Sequence, residues 1–453
     1  MKRKLFGTDG VRGTANRHPM TAETALALGQ AIAHVFQRNG TERHRIIIGK
    51  DTRLSGYLFE NAMAAGICST GGEVLLVGPM PTPGMAFLTA DMRCDAGVMI
   101  SASHNPYEDN GIKFFSRDGF KLDDAIEQRI ENLIASGALE GARAESEEIG
   151  TAHRIDDASG RYVVFLKNTF PREFTLDGLR VVLDCANGAA YKVGPTVLAE
   201  LGAEVFSLAV DPNGRNINEG VGSLHPEHAV ARVREVRADL GIALDGDADR
   251  VVIVSEDGEV VDGDALLALF ASDLSERGML EGGAVVGTVM SNMGLEKSLD
   301  AMGLGLIRTQ VGDRYMVEAM RNGGYNLAGE QSGHFVFLDH NTTGDGLITA
   351  LQALAIMKRT GRPLSELVAG FQPFPQVLLN VRVAERKPFE QVPEVVEAVR
   401  KLEQELAGKG RILLRYSGTE MKARVMVEGE DEARVNELAK ELANLVQRRL
   451  GGA

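Results

Sequence analysis

At 453 residues the chain has room for about three or four domains, each with a core of its own. Hydrophobic residues make up 44% and charged residues 25%, the balance of a soluble globular protein, while a formal net charge of −14 excludes a general nucleic-acid or membrane-surface role, which needs a positive field. Cys68, Cys94 and Cys185 are too few and too scattered for a disulfide framework or a zinc site, so they read as reduced, buried thiols.

The opening, Met1-Lys2-Arg3-Lys4-Leu5-Phe6-Gly7, has the charge of an export signal but no apolar stretch behind it. No later run reaches the roughly 20 apolar residues of a membrane span, so the cytoplasm is the expected compartment. From there, short β-rich runs alternate with Ala-rich helical segments: Ile46 to Ile48, Val74 to Val77 and Val98 to Ile100. The phrase returns as Val181 to Leu183, Val205 to Val210 and Ile242 to Leu244, and again as Val285 to Val289, Leu306 to Gln310 and Tyr325 to Ala328. These are βαβ patterns, and they predict three related α/β units in succession. The Glu-, Ala- and Ser-rich stretch 139–160 separates the first two, a boundary follows Val251 to Val254, and Phe371-Gln372-Pro373-Phe374-Pro375 introduces a smaller α+β unit. The expected domains are therefore 1–150, 151–255, 256–370 and 371–453.

The first candidate site lies in the first unit. Ser101-Ala102-Ser103-His104-Asn105-Pro106 follows the apolar run Gly97 to Ile100, and Asn-Pro predicts a turn, which leaves the Ser103 hydroxyl at the mouth of a strand. Gly49-Lys50 fails as a nucleotide-binding loop, because His44 stands where its first glycine belongs.

In the second unit, Asp245-Gly246-Asp247-Ala248-Asp249-Arg250 places three carboxylates at alternate positions between two apolar strands. At about 5 Å apart, each pair repels by roughly 3 kcal/mol at an effective dielectric near 20, so such a cluster needs a cation or must hold protons. Oxygen-only ligands suit Mg²⁺. A solvated acidic turn and a phosphatase with an Asp nucleophile are alternative readings. A calcium EF-hand would use Asp245, Asp247, Asp249 and Glu256, but Arg250 occupies its glycine position.

Two anion-binding loops follow. Gly329-Glu330-Gln331-Ser332-Gly333-His334 and Arg415-Tyr416-Ser417-Gly418-Thr419-Glu420 each come after a predicted strand. In the second, two hydroxyls, a glycine and the guanidiniums of Arg415 and Arg424 could hold phosphate oxygens.

Together with Phe6-Gly7-Thr8-Asp9-Gly10-Val11-Arg12-Gly13, these segments closely resemble the α-D-phosphohexomutase superfamily in order and spacing along the whole chain. Gly-Glu-Gln-Ser-Gly-His resembles the amino-sugar version of the family's sugar loop, and Gln331 favours that version over the glucose and mannose versions, whose phosphoglucomutase or phosphomannomutase activity is the alternative. Met421-Lys422 departs from the family, where Pro often follows Ser-Gly-Thr-Glu.

The resemblance implies four domains in a heart shape around a central cleft. It also implies interconversion of glucosamine 6-phosphate and glucosamine 1-phosphate through glucosamine 1,6-bisphosphate, for amino-sugar nucleotide and cell-wall precursor synthesis. Ser103 would carry the phosphoryl group and join Asp245, Asp247 and Asp249 as a ligand of one Mg²⁺. Arg12, Lys113 and Arg250 would stabilise charge there, and His104 and His334 would move the hydroxyl proton. Glu330 and Ser332 would read sugar hydroxyls, and Arg415, Ser417, Gly418, Thr419 and Arg424 would hold the phosphate that is not reacting. The implied partner is a small sugar phosphate, with neither nucleic acid nor membrane, and the implied state is a monomer or homodimer.

Overall fold

The structure is a computed structural model that describes residues 5–7, 9–37, 44–406, 408–417 and 421–451. Three mixed sheets and one antiparallel sheet follow one another along the chain. The first contains β1 (Val11–Thr14), β2 (Arg45–Lys50), β3 (Glu73–Pro79), β4 (Ala96–Ile100), β5 (Asp109–Ser116) and β6 (Ala152–Arg154), in the order β1-β5-β4-β2-β3-β6. The second holds β7 (Arg180–Asp184), β8 (Glu204–Leu208), β9 (Leu240–Leu244) and β10 (Val251–Ser255), ordered β10-β9-β7-β8. The third, β12-β11-β13-β14, is built from β11 (Ala284–Thr288), β12 (Gly305–Thr309), β13 (Leu327–Gly329) and β14 (Phe335–Phe337). The last, β15-β17-β16, comprises β15 (Gln376–Arg382), β16 (Gly410–Tyr416) and β17 (Lys422–Gly429).

The first three sheets share one plan. In each, one strand (β2, β7 or β11) lies between the next two in the chain, all parallel, and the strand after those returns antiparallel against the third; in the first sheet β1 and β6 add to the two edges of this four-strand plan. Parallel strands are covered on both faces. Accordingly β4, β9 and β11 are buried at every residue, which is why they read as unbroken apolar runs. The first sheet extends past the expected boundary at 150, because β6 pairs with β3.

One apolar core runs from Ile47 and Leu75 through Leu183 and Leu244 to Phe335 and Leu351, so the first three units are packed as a single body. Helix Gly346–Thr360 sits at its centre and touches β10, β14 and helices Ala158–Thr169 and Gly263–Glu276. The fourth unit has a separate core. Cys94 and Cys185 are buried as expected, whereas Cys68, late in helix Gly56–Cys68, is only half-buried. Among the described residues no helix is long and apolar enough to cross a membrane.

Candidate active site

The four loops singled out in the sequence occupy one topological position: each joins a strand to an antiparallel neighbour, β4 to β5, β9 to β10, β13 to β14 and β16 to β17. In the three mixed sheets this is where parallel pairing gives way to antiparallel. Side chains at the carboxyl ends of parallel strands commonly face a shared crevice.

Ser103 sits just beyond β4 with φ of 52°, in the left-handed region that residues with a Cβ rarely occupy. Its N–H donates to Ser101 Oγ at 2.9 Å. Its hydroxyl donates to Asp245 Oδ2 at 2.5 Å and lies 3.3 Å from His104 Nδ1. Residues 142 positions apart therefore meet, as the sequence reading requires.

The acidic loop is as tightly held. Ala248, at φ of 57°, donates its N–H to Asp245 O, and its own carbonyl accepts the N–H of Gly346 at 3.0 Å. Thr82 grips Asp247 twice, N–H to backbone carbonyl at 2.9 Å and Oγ1 to Oδ2 at 2.6 Å. One carboxylate oxygen from each of Asp245, Asp247 and Asp249 lies within 4.8 Å of the others, and all three residues are buried. Burial first, and then the charges of Asp249 and Asp247, push the Asp245 carboxyl well above its usual range. Among the described residues, Asp247 Oδ1 and Asp249 Oδ1 are buried without a hydrogen-bond partner. Three convergent carboxylates with orphaned oxygens and no soft donor fit a hard divalent cation. The EF-hand alternative fails on position: Arg250 leads directly into β10, and Glu256 accepts a hydrogen bond from Ser365 N–H at 3.3 Å.

Cations surround the triad. Lys113, on β5 and 1% exposed, lies 2.9 Å from Asp247, 3.3 Å from Asp9 and 3.5 Å from Asp249. Lys121 bridges Asp9 and, at 2.6 Å, Asp313. Arg12 pairs with Asp9, and Arg250 Nε is 3.9 Å from Asp249. Burial opposes the Arg250 charge, but Asp249, Asp245 and Glu330 outweigh it and raise its pKa. His334 stands between Asp249 at 3.8 Å and Asp313 at 3.7 Å; burial works against its charge, and these carboxylates with Glu330 raise its pKa. His104 goes the other way, lowered to about 4 by burial and by Arg250 and Arg12.

The Glu330 loop is fastened to this centre, since Val251 N–H donates to Gly333 O at 3.0 Å. Gly333 has φ of 90°, and a Cβ there would meet Val251 O at 2.1 Å, so only glycine fits. Glu330 accepts from Gly312 N–H at 3.3 Å and from Ser332 Oγ at 3.4 Å. Gln331 is turned elsewhere: its amide donates to Asp262 Oδ2 at 2.9 Å, at the cap of helix Gly263–Glu276. It anchors the loop to that cap.

Arg415 and Arg424 form a second centre on the fourth sheet, directly opposite each other across β16 and β17. Both Nε atoms are buried without a partner among the described residues, and burial together with Arg424 lowers the Arg415 pKa. Two adjacent guanidiniums with open donors suit an anion. Ser417 is buried beside them and donates its N–H to Lys422 O at 2.9 Å, while Gly418 and Thr419 lie outside the described residues.

Sequence reasoning passed over Arg53, Thr82, Asn218, Lys121 and Asp313. Arg53 carried a signal, since it follows the strand-ending turn Gly49-Lys50-Asp51-Thr52. Asp313 carried a weaker one, behind Gly312 after a strand.

Comparison with known proteins agrees along the entire chain. Family profiles described as phosphoglucomutase/phosphomannomutase alpha/beta/alpha domains I, II and III match residues 3–140, 161–258 and 262–374, and the C-terminal domain of that family matches 378–445. The phosphoglucosamine mutase of Syntrophotalea carbinolica is 60% identical over 451 residues, 100% of this chain and 99% of that one. That of Geobacter metallireducens is 60% identical over 450 residues, 99% of this chain and 100% of the other. Among solved structures, a phosphoglucomutase/phosphomannomutase family protein from Burkholderia thailandensis shares the fold at TM-score 0.81 and 23% identity, covering 98% of this chain and 96% of that one. An N-acetylphosphoglucosamine mutase from Aspergillus fumigatus, solved with GlcNAc-6P and magnesium, shares it at TM-score 0.66 and 19% identity, with 98% and 96% covered. The chain belongs to the phosphoglucomutase/phosphomannomutase family.

Proposed function

We propose that the chain interconverts glucosamine 6-phosphate and glucosamine 1-phosphate, with Ser103 as the phosphoryl carrier and glucosamine 1,6-bisphosphate as the intermediate. The observation that carries this reading is the 2.5 Å contact of the Ser103 hydroxyl with Asp245, inside a buried carboxylate triad. A hydroxyl on ordinary loop backbone would have no reason to meet three clustered carboxylates. The relatives named phosphoglucosamine mutase, 60% identical over the full length, supply the amino sugar.

Asp245, Asp247 and Asp249 would hold Mg²⁺ together with an oxygen of phosphorylated Ser103, and the ion would neutralise the roughly −1.5 to −2 charges that a phosphoserine brings. The chain's own groups do the rest. The sugar 1-hydroxyl oxygen forms a bond to phosphorus as the bond from phosphorus to Ser103 Oγ breaks, and the proton lost by the hydroxyl is regained by the serine oxygen. His104, 3.3 Å from that oxygen, and His334, 3.8 Å from Asp249, are the candidates to move this proton. Arg12, Lys113 and Arg250 offer positive charge to the transferring group. Glu330 and Ser332 read the sugar, and Arg415, Arg424 and Ser417, with Gly418 and Thr419, grip the distal phosphate. The bisphosphate then turns, returns its 6-phosphoryl group to Ser103 and leaves as glucosamine 1-phosphate.

Intact-mass measurement with peptide mapping tests the reading, with one phosphoryl group expected on Ser103. Ser103→Ala is expected to fold and to lose sustained turnover of glucosamine 6-phosphate supplied with a trace of bisphosphate. Phosphate on Asp245 with release of inorganic phosphate, or wild-type turnover by Ser103→Ala, would overturn it. Relative turnover on glucosamine, glucose and mannose 6-phosphates tests the sugar assignment.

A further inference from the structure

A nucleophile in left-handed backbone has to be held there. A conformation of this kind costs about 1 to 3 kcal/mol, and locally a single turn hydrogen bond, Asn105 N–H to Ala102 O at 3.1 Å, spans Ser103. The larger set of bonds comes from a side chain. Arg53 is fully buried, and each of its five guanidinium N–H donors is used. Nε donates to Asp51 Oδ2 at 2.8 Å, and the other four go to backbone carbonyls of the serine loop: Ser103 at 2.9 Å, Asn105 at 2.8 Å, Asp109 at 3.1 Å, and Pro106. The loop is thus wrapped around one planar fork.

The fork itself is oriented. Asp51 accepts the backbone N–H of Arg53 at 2.9 Å and gives its own N–H to Ile100, the last residue of β4. It also hydrogen-bonds Ser101, whose hydroxyl accepts the N–H of Ser103. The strand that ends at Lys50 and the strand that ends at Ile100 are neighbours, so Arg53 and the serine loop leave the sheet side by side.

A second donor reaches the same carbonyls from the next unit. Asn218 Nδ2 donates to Ser103 O at 2.9 Å and to Asn105 O at 3.0 Å. Asn218 is itself left-handed, at φ of 59°, and is anchored by its N–H to Ala186 O. The acidic loop closes over the same point: a Cβ on Gly246 would lie 2.6 Å from Ser103 O and 2.8 Å from Asn218 Nδ2. Ser103 O is therefore the common acceptor at which the serine loop, the acidic loop and the Asn218 loop are brought into register.

We propose that Arg53 and Asn218 are positioning residues, a two-sided clamp on the Ser103 and Asn105 carbonyls that aims the Ser103 hydroxyl at the acidic triad. The proposal rests on Ser103 being the phosphoryl carrier. Neither residue touches the reacting atoms. Their effect is on where Cβ of Ser103 points, and a misplacement of about 1 Å can cost about 100-fold in rate.

The test uses the full-length enzyme with saturating Mg²⁺ and glucosamine 6-phosphate. Asn218→Gly keeps left-handed backbone accessible and keeps the N–H to Ala186, but removes both side-chain bonds. Its melting temperature should stay close to wild type while kcat falls about tenfold and KM changes less than about twofold, the pattern of lost positioning. The phosphorus-31 resonance of its phosphoserine should broaden or split where wild type shows one line. Arg53→Lys keeps a cation beside Asp51 but offers three donors to five acceptors, so it should lose about 100-fold in kcat without regaining a single phosphoserine line. If Arg53→Lys does not fold, Asn218→Gly decides. A kcat within twofold of wild type in folded Asn218→Gly, or a loss that appears only in KM, overturns the clamp. A wild-type protein that leaves Ser103 unphosphorylated and does not convert glucosamine 6-phosphate overturns instead the functional reading beneath it.

Discussion

Ser103, Ala186, Asn187, Asn218 and Ala248 all hold left-handed backbone, and all five gather where the serine and acidic loops meet. Strain of this kind persists only where surrounding contacts over-determine it, and here those contacts converge on one hydroxyl and three carboxylates. Asp247 is the most committed of the three: Oδ2 accepts from Thr82 and from Lys113 at 2.9 Å, and Oδ1 has no partner. Asp247→Asn preserves shape and removes charge. We expect the variant to fold, to lose about 100-fold or more in kcat, and to lack the rise in melting temperature expected of the wild type with a divalent cation. A variant that keeps both wild-type kcat and that thermal shift would remove Asp247 from the proposed metal site. In the wild type, chelation should stop turnover and added Mg²⁺ should restore it. The residues that could be read from the sequence are those whose chemistry is local, three aspartates alternating between apolar strands or a serine at a strand mouth. Asn218 and Thr82 were opaque for the opposite reason, because their partners lie 115 and 165 residues away and their own segments look like ordinary turns, and Arg53 showed only its place after a strand-ending turn, since the Ser103 carbonyl it binds is 50 residues away.

At the level of elements, the three mixed sheets share one four-strand order, and that repetition puts the serine, acidic and Glu330 loops at matching connections between antiparallel neighbours. The long buried strands were legible because burial on both faces leaves only apolar residues in them. The short strands β1, β6 and β14 were not, since runs of three or four residues carry too little periodicity and form only because a partner strand is already in place. Loop-to-loop fit is likewise absent from any pattern of hydrophobicity. Gly246 and Gly188 show it: a Cβ on Gly188 would meet Gly246 O at 2.3 Å, and one on Gly246 would meet Ser103 O at 2.6 Å. Both contacts are with backbone, which cannot swing away. Gly246→Ala should therefore push the acidic loop off the serine loop, costing about 1 to 3 kcal/mol of stability from overpacking and about tenfold or more in kcat. Thermal melting and steady-state kinetics on the same preparation check this, and an alanine variant with unchanged kcat would show that the two loops need not touch so closely.

The molecule divides into a body of three units joined by a shared core, each with a further apolar cluster of its own, and a fourth unit joined at a polar seam. Asn292 straps the connecting segment, accepting from Phe374 N–H at 2.8 Å and donating to Phe374 O at 3.0 Å. Glu428 of β17, fully buried, accepts from the N–H of Met293 at the start of helix Met293–Ala301 and from Arg411 Nε at 2.7 Å. Arg411 in turn donates to Val289 O at 3.0 Å and Ser291 O at 2.5 Å. A carboxylate at a helix N-terminus is favourable, but here a second one crowds it. Asp264 accepts the N–H of Asn292 at 2.7 Å through Oδ2, and its Oδ1 is buried with no partner. Burial, offset by the Asn292 N–H and reinforced by the charges of Asp262 and Glu428 against the weaker pull of Arg308, raises Asp264 from 3.8 to about 7. Because its proton is held in the fold and released in the unfolded chain between these two values, this group's contribution to stability falls as pH rises through that window, by up to about 1.4 kcal/mol per unit. Below about pH 4 both states keep the proton, and above about 7 the full penalty is present. Asp264→Asn fixes the neutral form and turns an amide donor toward Asp262 and Glu428. Melting curves of wild type and variant at matched ionic strength should therefore lie nearest each other at about pH 4 and separate steadily up to about pH 7, with the variant the more stable. Asp345, raised to about 6 mainly by burial, slopes the same way but is common to both proteins and cancels in the difference. A gap that stays constant from pH 5 to pH 8 would mean that Asp264 is already ionised in the fold, with its charge met at the seam by Arg308.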